Sequence, residues 1–494
     1  MRETDEGGPI MTPHRSATTL PDRIIEALTR IVGGRHILSS RSERLVYECD
    51  GFTLEKNAPD VVVFPRTTDE VAAVVRLCDQ AGVPMLPRGA GTSLAGGGLP
   101  VGGGVLIVLT RMKDILEIHA EDRYAVVEPG CVNVWLSLAL RGTGLHYAPD
   151  PSSQGACTIG GNVATNSGGP HTLKYGVTVN HVLAVETVLP SGEVVMLGCP
   201  AEDTPGLDLL GAMVGSEGTL GIVTKVWVRL TPDPQGYRTL LGVFDSVDDA
   251  TRAISRIIGA GIIPAALEMM DQGIIEAVEA AFHFGFPLDA GAVLLIEVDG
   301  LEAGLDRQQQ DVTRLCQECG AREVRVAADD RERKRLWKCR KEAFGAIGRL
   351  SPSYCTQDGV VPRTQLPEIL ERIRAAGEKH RLRIVNVFHA GDGNIHPILL
   401  FDERDPQQIQ RVLQASREIL SACLELGGSV TGEHGIGVEK IGFMQEMFSE
   451  SDLDAMHALR KAFNPKGLLS PGKMLPTAGA CGIEQTHPGR RAAL

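Results

Sequence analysis

Two short segments near the C-terminal end concentrate residue types that suit metal chemistry. The first, VFHAGDGNIHP, carries His389 and His396, and the second, GEHGIG, carries Glu433 and His434. If the intervening Gly-Asp-Gly-Asn forms a hairpin turn, the two histidines come together although they are distant along the chain. Two imidazoles and one carboxylate are a ligand set for zinc, manganese or a similar divalent ion. A lone histidine is more often a hydrogen-bonded core residue, but this paired arrangement favours a metal site.

A glycine-rich segment in the N-terminal half, PRGAGTSLAGGG, has the composition of an anion-binding loop. Gly89 and Gly91 give a G-x-G pattern, but Leu94 stands where the dinucleotide fingerprint needs its third glycine. A Rossmann-type nicotinamide site is therefore disfavoured, which leaves a nest of N–H groups for a pyrophosphate, or an ordinary turn. Two more segments, 148–176 and 215–222, are dense in small residues that let a backbone close around a ligand.

Apolar periodicity predicts the elements that must position these loops. A helix over 22–32 precedes a buried strand at 61–65, and the next helix has a capping box from Thr67 and Glu70 and ends at Gly82. Further expected elements are strands at 105–109 and 124–130, a helix at 132–140, an irregular loop at 148–176 and a hairpin at 181–195. The segment TPDPQG (231–236) is typical of a linker.

Beyond this linker the pattern changes to β-α-β…β-α-β, which resembles a ferredoxin-like sheet with helices on one face. The expected strands lie at 240–244, 265–269, 292–298 and 322–327, and the expected helices at 246–258, 272–282 and 302–319. A helical C-terminal segment over 407–463 flanks GEHGIG. The fold class is therefore α+β, with two domains and a C-terminal segment.

The composition excludes several classes of function. The chain has 494 residues and a formal net charge of −13, whereas a nucleic-acid partner would require a basic face. An acidic surface also repels small carboxylates, so an anionic substrate would need local cations or a metal. No stretch approaches the ~20 apolar residues of a membrane span, and the N-terminus lacks a signal-peptide core, which predicts a cytoplasmic protein. The 11 cysteines include one C-x-x-C, Cys316 and Cys319, interpreted as ordinary reduced thiols rather than a redox motif.

The order and spacing of the three N-terminal loop motifs point to a known family. RGAGTSLAGG, IGGNVATNSGG and GSEGTLGI resemble the FAD domain of the vanillyl-alcohol-oxidase superfamily. The resemblance implies that the first loop binds the FAD diphosphate and that the other two line the isoalloxazine and the ribityl–adenine part. The residues assigned to FAD in this way are Arg88, Gly89, Ala90, Gly91, Thr92, Ser93, Leu94, Gly96, Gly160, Gly161, Asn162, Thr165, Asn166, Gly168, Gly221 and Ile222. Thr92 stands where many covalent members carry a histidine, which implies non-covalent FAD.

The C-terminal motifs resemble those of FAD-linked D-2-hydroxyacid dehydrogenases, in which corresponding residues bind a divalent metal and the substrate. The roles implied are metal ligands at His389, His396 and Glu433, a base at His434, Asn394 facing substrate or flavin, and Arg340 on the substrate carboxylate. An arginine in a charge-rich helix is usually solvated, so the role of Arg340 depends on the match of the surrounding motif alone.

The resemblance covers about residues 20–475 and implies five regions. These are a disordered N-terminus (1–20), a FAD-binding domain (21–232), a substrate domain (233–420), a C-terminal helical segment completing the active site (421–475) and a disordered tail (476–494). Within the family, RKEAFGAIGRLSPSYCTQDGVVPR and NVFHAGDGNIHPILLFD are most similar to the flavoprotein subunits of glycolate oxidases. D-2-Hydroxyglutarate dehydrogenases carry a lysine near position 356, and Thr356 here favours a small monocarboxylate such as glycolate or D-lactate.

The implied reaction is oxidation of a 2-hydroxy acid to the 2-oxo acid by hydride transfer to flavin N5. The metal would hold the substrate oxygens, Arg340 the carboxylate, and His434 would take the hydroxyl proton. Because the sequence holds no iron–sulfur cysteine run, electrons must leave through another component. The resemblance implies a second flavin-domain subunit and an iron–sulfur subunit that delivers electrons to membrane quinone. Three alternatives stay open: a stand-alone D-lactate dehydrogenase, a metal hydrolase, and a flavin-binding assembly subunit without catalysis of its own.

Overall fold

The computed structural model describes residues 20–201 and 205–476, so the two termini expected to be disordered lie almost entirely outside the described residues. The first sheet has four strands in the order Ile37–Leu38, Val61–Val63, Val105–Val108 and Met85–Arg88, the last three of which are parallel. Helices Asp22–Val32 and Thr68–Ala81 pack on this sheet and bury its valines.

The second of these helices shows how the sequence sets its own boundaries. The Thr67 hydroxyl accepts the N–H of Glu70 at 3.2 Å, and Gly82 ends the helix in the left-handed region at φ +64°. The Glu70 carboxylate accepts the N–H of Arg66 at 2.7 Å instead of that of Thr67, so only half of the expected capping box forms. This helix places the following strand so that Arg88 opens the glycine-rich loop.

A second, antiparallel sheet completes the N-terminal half of the molecule. Its strand order is Ile115–His119, Tyr124–Val127, Ile222–Arg229, Val182–Val188 and Val194–Gly198, and helix Asn133–Ala139 packs on it. The segment 148–176 was expected to be an irregular loop, but it contains two short helices, Ile159–Thr165 and Thr172–Tyr175. The reason is local: Thr158 caps the first of them by accepting the N–H of Gly161 at 3.3 Å.

The third sheet lies beyond the linker and has eight strands. They are Ala321–Val326, Gly236–Phe244, Ala292–Gly300, Ala266–Asp271, Arg383–His389, Asn394–Phe401 and Ser353–Thr356 in spatial order, with Gly359–Val360 paired to the sixth. The expectation of helices on one face only was wrong. Both faces are apolar: Leu240 and Phe244 contact one layer of helices, whereas Leu241 and Val243 contact another. The two layers are Val247–Gly259, Glu302–Glu318, Leu366–His380 and Pro406–Glu425 on one side, and Gln272–Phe282 and Asp330–Ile347 on the other.

The C-terminal segment is less helical than expected and returns to the first sheet. After Pro406–Glu425, residues 427–440 are loop because glycines interrupt them, and helix Glu450–Phe463 follows. Leu469 then pairs with Met85 of the first sheet, where the N–H of Met85 donates to Leu468 at 2.8 Å. The remaining short elements are Arg41–Leu45, Leu145–His146, Leu209–Met213, Thr231–Pro232 and Met444–Met447.

Candidate active site

One cavity of about 370 Å³ is lined by both halves of the molecule. Of the residues assigned to FAD, those on its wall are Arg88, Gly89, Ala90, Gly91, Thr92, Ser93, Leu94, Gly160, Gly161, Asn162, Thr165, Gly221 and Ile222. Three others lie off the wall. Gly96 packs against Val438, the Asn166 amide oxygen accepts the N–H of Val179 at 2.8 Å, and Gly168 lies beside Glu433.

The glycine-rich wall has the properties of a cofactor cradle. The N–H groups of residues 91–94 have no hydrogen-bond acceptor among the described residues, so they are free to bind an anion. At Gly160 the backbone approaches another segment so closely that a Cβ would lie 2.6 Å from Cβ of Pro129 and 2.8 Å from its carbonyl oxygen. A larger residue would displace this wall. The donors and the narrow backbone passage therefore fit a diphosphate-bearing cofactor such as FAD.

The cradle is fixed directly to the GEHGIG loop. The Glu217 carboxylate accepts the N–H of Ile436 at 2.6 Å and that of Gly437 at 2.7 Å, and these two residues belong to GEHGIG. Lys473, fully buried in the C-terminal segment, donates to the carbonyl oxygen of Gly96 in the first loop. The C-terminal segment thus holds the glycine-rich loops and the GEHGIG loop in one arrangement.

His389, His396 and Glu433 meet at the far end of the same cavity. Nε2 of each histidine lies 3.1 Å from Oε1 of Glu433, and the two rings are perpendicular with centroids 5.0 Å apart. Strands Arg383–His389 and Asn394–Phe401 form the expected hairpin, which explains why these histidines are neighbours. The predicted trio therefore converges within the reach of one ion.

The outward nitrogens of the two histidines are held in the way that metal ligands require. Nδ1 of His389 contacts Glu268 at 2.8 Å, and Nδ1 of His396 contacts the carbonyl oxygen of Gln357 at 3.3 Å. Such partners fix the ring orientation and leave Nε2 of each ring available to a metal. The donor set of two nitrogens and one oxygen fits zinc or manganese.

The charges around the trio favour a cation. The carboxylates of Glu268 and Asp358 are buried and pair with Arg340 and Lys440, whereas that of Glu433, 12% exposed, contacts only the histidines among the described residues. Burial would raise the pKa of Glu433, but the adjacent histidines hold it well below its usual value. Burial likewise lowers the pKa of His389 on its own, and the Glu268 and Glu433 carboxylates reverse this effect and raise it well above 6.5. A divalent ion would replace the proton that these groups attract.

His434 lines the cavity beside the trio, with its Nε2 4.0 Å from Oε1 of Glu433. Its ring stacks on that of His396 at 5.1 Å with an interplanar angle of 8°, and burial lowers the pKa of His434 to about 4. The imidazole is therefore neutral at pH 7 and can accept a proton.

Asp358, which sequence reasoning missed, builds the loop that presents Glu433 and His434. One oxygen of this fully buried carboxylate accepts the N–H groups of Gly432, Glu433 and His434 at 3.0, 3.2 and 2.9 Å. Lys440 Nζ lies 3.4 Å from the same oxygen. Burial would raise the pKa of Asp358, but His434 and Lys440 hold it far below its usual value. The carboxylate thus acts as an ionised anchor for the loop.

Arg340 and Asn394 are buried behind the cavity wall rather than on it. Arg340 is 0% exposed, and its Nε donates to Glu268 at 2.6 Å, so Glu268 bridges Arg340 and His389. Nη1 and Nη2 of Arg340 have no hydrogen-bond partner among the described residues. The side-chain oxygen of Asn394 is also buried without a partner. These free polar atoms are the kind that a bound ligand satisfies.

Glu268 and Lys341 are two further residues that the sequence interpretation did not select. An acidic residue within the apolar strand Ala266–Asp271 was a signal that could have identified Glu268. Lys341 lines the cavity together with Phe344, three residues further along the same helix, but a lysine in a charge-rich helix carries no such signal.

Two minor predictions concern the cysteines and the membrane. Cys316 and Cys319 are both buried free thiols, and burial raises the pKa of Cys316 to about 12, as expected for inert thiols. Among the described residues, none of the helices has the length and apolar character needed to cross a bilayer.

Comparison with known proteins accounts for both halves of the site. Residues 59–198 match the FAD binding domain, and residues 233–474 match the C-terminal domain of FAD linked oxidases. The glycolate oxidase subunit GlcD of Escherichia coli (strain K12) is 46% identical over 97% of this chain and 98% of its own length. GlcD of Bacillus subtilis (strain 168) is 40% identical over 91% of this chain and 96% of its own length. A D-lactate dehydrogenase of Anaerostipes hadrus is 33% identical over 85% of this chain and 90% of its own length.

The solved structures agree at the level of fold. The 4-ethylphenol oxidase of Gulosibacter chungangensis superposes with a TM-score of 0.79 at 18% identity, covering 92% of this chain and 97% of that one. The predicted α+β fold class, with a vanillyl-alcohol-oxidase-type FAD domain, is therefore confirmed. Since both family domains are present and relatives match along almost the entire chain, this protein belongs to the family of FAD-linked oxidases.

Proposed function

We propose that this chain oxidises a small 2-hydroxy acid, glycolate in the first place and D-lactate in the second, to the corresponding 2-oxo acid. The observation that carries the proposal is the single cavity that joins the glycine-rich cradle to His389, His396, Glu433 and His434. FAD, bound non-covalently in the cradle, would supply the two-electron acceptor. Residues 91–94 would hold its diphosphate through their free N–H groups.

The residues proposed to act on the substrate hydroxyl group lie together in the other part of the cavity. His389, His396 and Glu433 would hold a divalent metal, which would make the substrate hydroxyl more acidic. His434, which adjoins this trio, is the proposed base that removes the hydroxyl proton at Nε2 or Nδ1. Asp358 keeps His434 in place by accepting its backbone N–H.

Arg340 is the proposed partner of the substrate carboxylate, with Asn394 nearby as a further polar contact. Two unpaired guanidinium nitrogens in a fully buried residue support this role, since a carboxylate is their natural bidentate acceptor. Glu268 already neutralises Nε and points the guanidinium away from bulk water.

The electron acceptor is proposed to be a partner assembly. The relatives from Escherichia coli and Bacillus subtilis are each called a subunit of glycolate oxidase, which supports the presence of further subunits. In line with the family resemblance, we propose that these are a second flavin-domain subunit and an iron–sulfur subunit that pass electrons to quinone. A membrane-peripheral location on the cytoplasmic side would follow from those partners. The D-lactate dehydrogenases among the relatives favour a second candidate, an enzyme that acts on D-lactate without partners.

The decisive experiment is anaerobic reduction of the purified, FAD-loaded chain. Glycolate, D-lactate, L-lactate and D-2-hydroxyglutarate would each be mixed with it, with and without EDTA pretreatment, while flavin absorbance is followed. We expect rapid bleaching by glycolate or D-lactate that EDTA abolishes and added Zn²⁺ or Mn²⁺ restores. Bound flavin that none of the four acids reduces, alone or with the partner subunits, would refute the substrate class. Bleaching that EDTA leaves unchanged would refute the metal.

A further inference from the structure

A small carboxylate has to enter a protein with a formal net charge of −13. The cavity wall contains two lysine or arginine side chains among the described residues, Arg88 and Lys341. Arg88 is committed to the cradle, because its Nη1 donates to the carbonyl oxygens of Cys49 at 2.8 Å and Gly98 at 3.3 Å. Lys341 is thus the cation that the substrate-binding half presents to the cavity.

The helix Asp330–Ile347 separates the roles of Arg340 and Lys341. Successive residues of a helix point about 100° apart, so the two cations cannot face the same side. Arg340 points into the protein and is entirely buried on Glu268, whereas Lys341 shares its side with Phe344 and keeps 36% of its side chain exposed. A ligand entering from solvent therefore meets Lys341 before Arg340.

The charge of Lys341 is only partly compensated. Its Nζ lies 3.7 Å from Oδ2 of Asp150, which is too long for a hydrogen bond. The same oxygen is 3.0 Å from Nδ1 of His171. Although burial opposes its protonation, Asp150 and Glu297 raise the pKa of His171 to about 10, which favours the imidazolium form, and His171 is the nearer cationic partner of Asp150. The positive charge of Lys341 therefore remains available to an anionic ligand.

We infer that Lys341 is the anion-recognition residue at the mouth of the cavity and that it selects carboxylate ligands over neutral ones. The inference rests on the proposed function for the identity of the ligand, a small 2-hydroxy acid. Lys341 is a specificity-determining residue in this view, and the reaction itself takes place on the residues beyond it. It counteracts the acidic surface by attracting the substrate carboxylate and holding it at the entrance.

The test compares Lys341→Met with two matched variants of the FAD-loaded chain. Lys338→Met removes a lysine one turn earlier in the same helix, where Nζ is also 3.7 Å from a carboxylate oxygen, that of Glu342, but which does not line the cavity. Lys341→Arg keeps the charge. Binding of oxalate, a dianion of the substrate's size, is measured by calorimetry, and the KM for glycolate is measured at several salt concentrations.

We expect Lys341→Met to bind oxalate about fivefold more weakly, the size of a partly exposed ion pair. Its KM for glycolate should rise by a similar factor while kcat stays within twofold, and its KM should respond less to salt. Lys338→Met should match the unmodified chain, and Lys341→Arg should stay within about twofold of it, since the charge is kept.

Unchanged oxalate binding in Lys341→Met would overturn the inference, even if the chain oxidises glycolate. The converse outcome is distinguishable: Lys341-dependent binding of oxalate by a chain whose flavin no hydroxy acid reduces would support the anion site and refute the proposed substrate. An equal loss in Lys338→Met would assign the effect to the general field of the helix and would also overturn the inference.

Discussion

The two ends of the cavity are built in different ways. At the cofactor end the ligand faces backbone: the free N–H groups of residues 91–94 and the narrow passage between Gly160 and Pro129. At the other end, called the metal end after the proposed ion, it faces the side chains of His389, His396, Glu433 and His434, and most of these depend on a buried partner. Glu268 supports His389 and Arg340, and Asp358 supports the loop carrying Glu433.

This difference determines what each end tolerates. The cradle binds through backbone amides, so truncating a side chain removes none of its hydrogen-bond donors. Adding a side chain at a glycine disrupts it, because there is no room for one. A cluster of buried charges is sensitive to lost charge, because each partner removed leaves another ion buried without compensation. Substitutions that remove charge at one end or add volume at the other should therefore have separable effects.

The largest effect is expected from Glu433→Gln at the metal end. The substitution keeps the shape of the side chain but removes the charge that holds His389 and His396, so the chain should lose its divalent metal. Glycolate-dependent flavin reduction should fall on the order of 10³-fold. Metal analysis and stopped-flow absorbance check this, and FAD content should not change.

Glu425→Gln is the control for this variant, since Glu425 is an exposed partner of Arg372. A Glu433→Gln chain that keeps both its metal and its rate would remove Glu433 from the site. Loss of FAD together with the metal would show that the two ends are not independent.

The next effect is expected from Glu268→Gln, which leaves Arg340 buried without its carboxylate. Removing one member of a buried ion pair should cost about 3 kcal/mol of the free energy of unfolding. Urea unfolding of the chain measures it. The double variant Glu268→Gln/Arg340→Met should recover part of the loss, and Glu302→Gln, in an exposed pair, should change little. Equal loss in the single and double variants would contradict the role of Glu268 as a counter-ion.

The cofactor end was predictable from the sequence because its signal is local. A backbone cradle needs runs of small residues, and these runs are visible in 87–98, 148–176 and 215–222. The hairpin that joins His389 to His396 was predictable for the same reason, since both strands and the turn lie within a few residues. The helix Ile159–Thr165 was missed because glycines and threonines lower helix propensity, and only the Thr158 cap offsets this.

The supporting residues of the metal end were not predictable, because their partners are far apart in the chain. Glu268 lies on a strand of the third sheet and Asp358 on the link between two of its short strands, and no local pattern gives the order of these strands. The burial of Arg340 was not predictable either, because Lys338 and Lys341 of the same helix are also charged. Arg340 is enclosed because its helix packs on one face of the third sheet. Long-range packing decides which member of a charge-rich helix faces inward.

A smaller effect is expected from Gly160→Ala, which tests the cofactor end. The added methyl would meet Pro129, so the helix that carries Asn162 must shift away from the cradle. FAD affinity of the apoprotein should fall about tenfold, with metal content unchanged. Gly155→Ala in the same loop is the matched control, because nothing lies within 4 Å of a Cβ there. FAD binding that falls equally in both variants would point to the loop as a whole instead of the contact with Pro129.

The smallest effect concerns His171, one of the contacts between the cofactor side of the molecule and the third sheet. This imidazole lies between Asp150 on the cofactor side and Glu297 in the third sheet, 3.0 and 3.8 Å from their oxygens. Although burial disfavours its protonated form, these carboxylates raise the pKa of His171 from 6.5 to about 10. A raised pKa means that the folded state binds the proton more tightly than the unfolded chain does. The stabilisation is therefore complete below pH 6.5 and is lost as the pH rises towards 10.

The Tm of the unmodified chain should fall more between these pH values than the Tm of His171→Asn, whereas His119→Asn, at an exposed histidine, should follow the unmodified chain. Parallel curves for the unmodified chain and His171→Asn would mean that the charge of His171 does not stabilise the contact between the cofactor side and the third sheet.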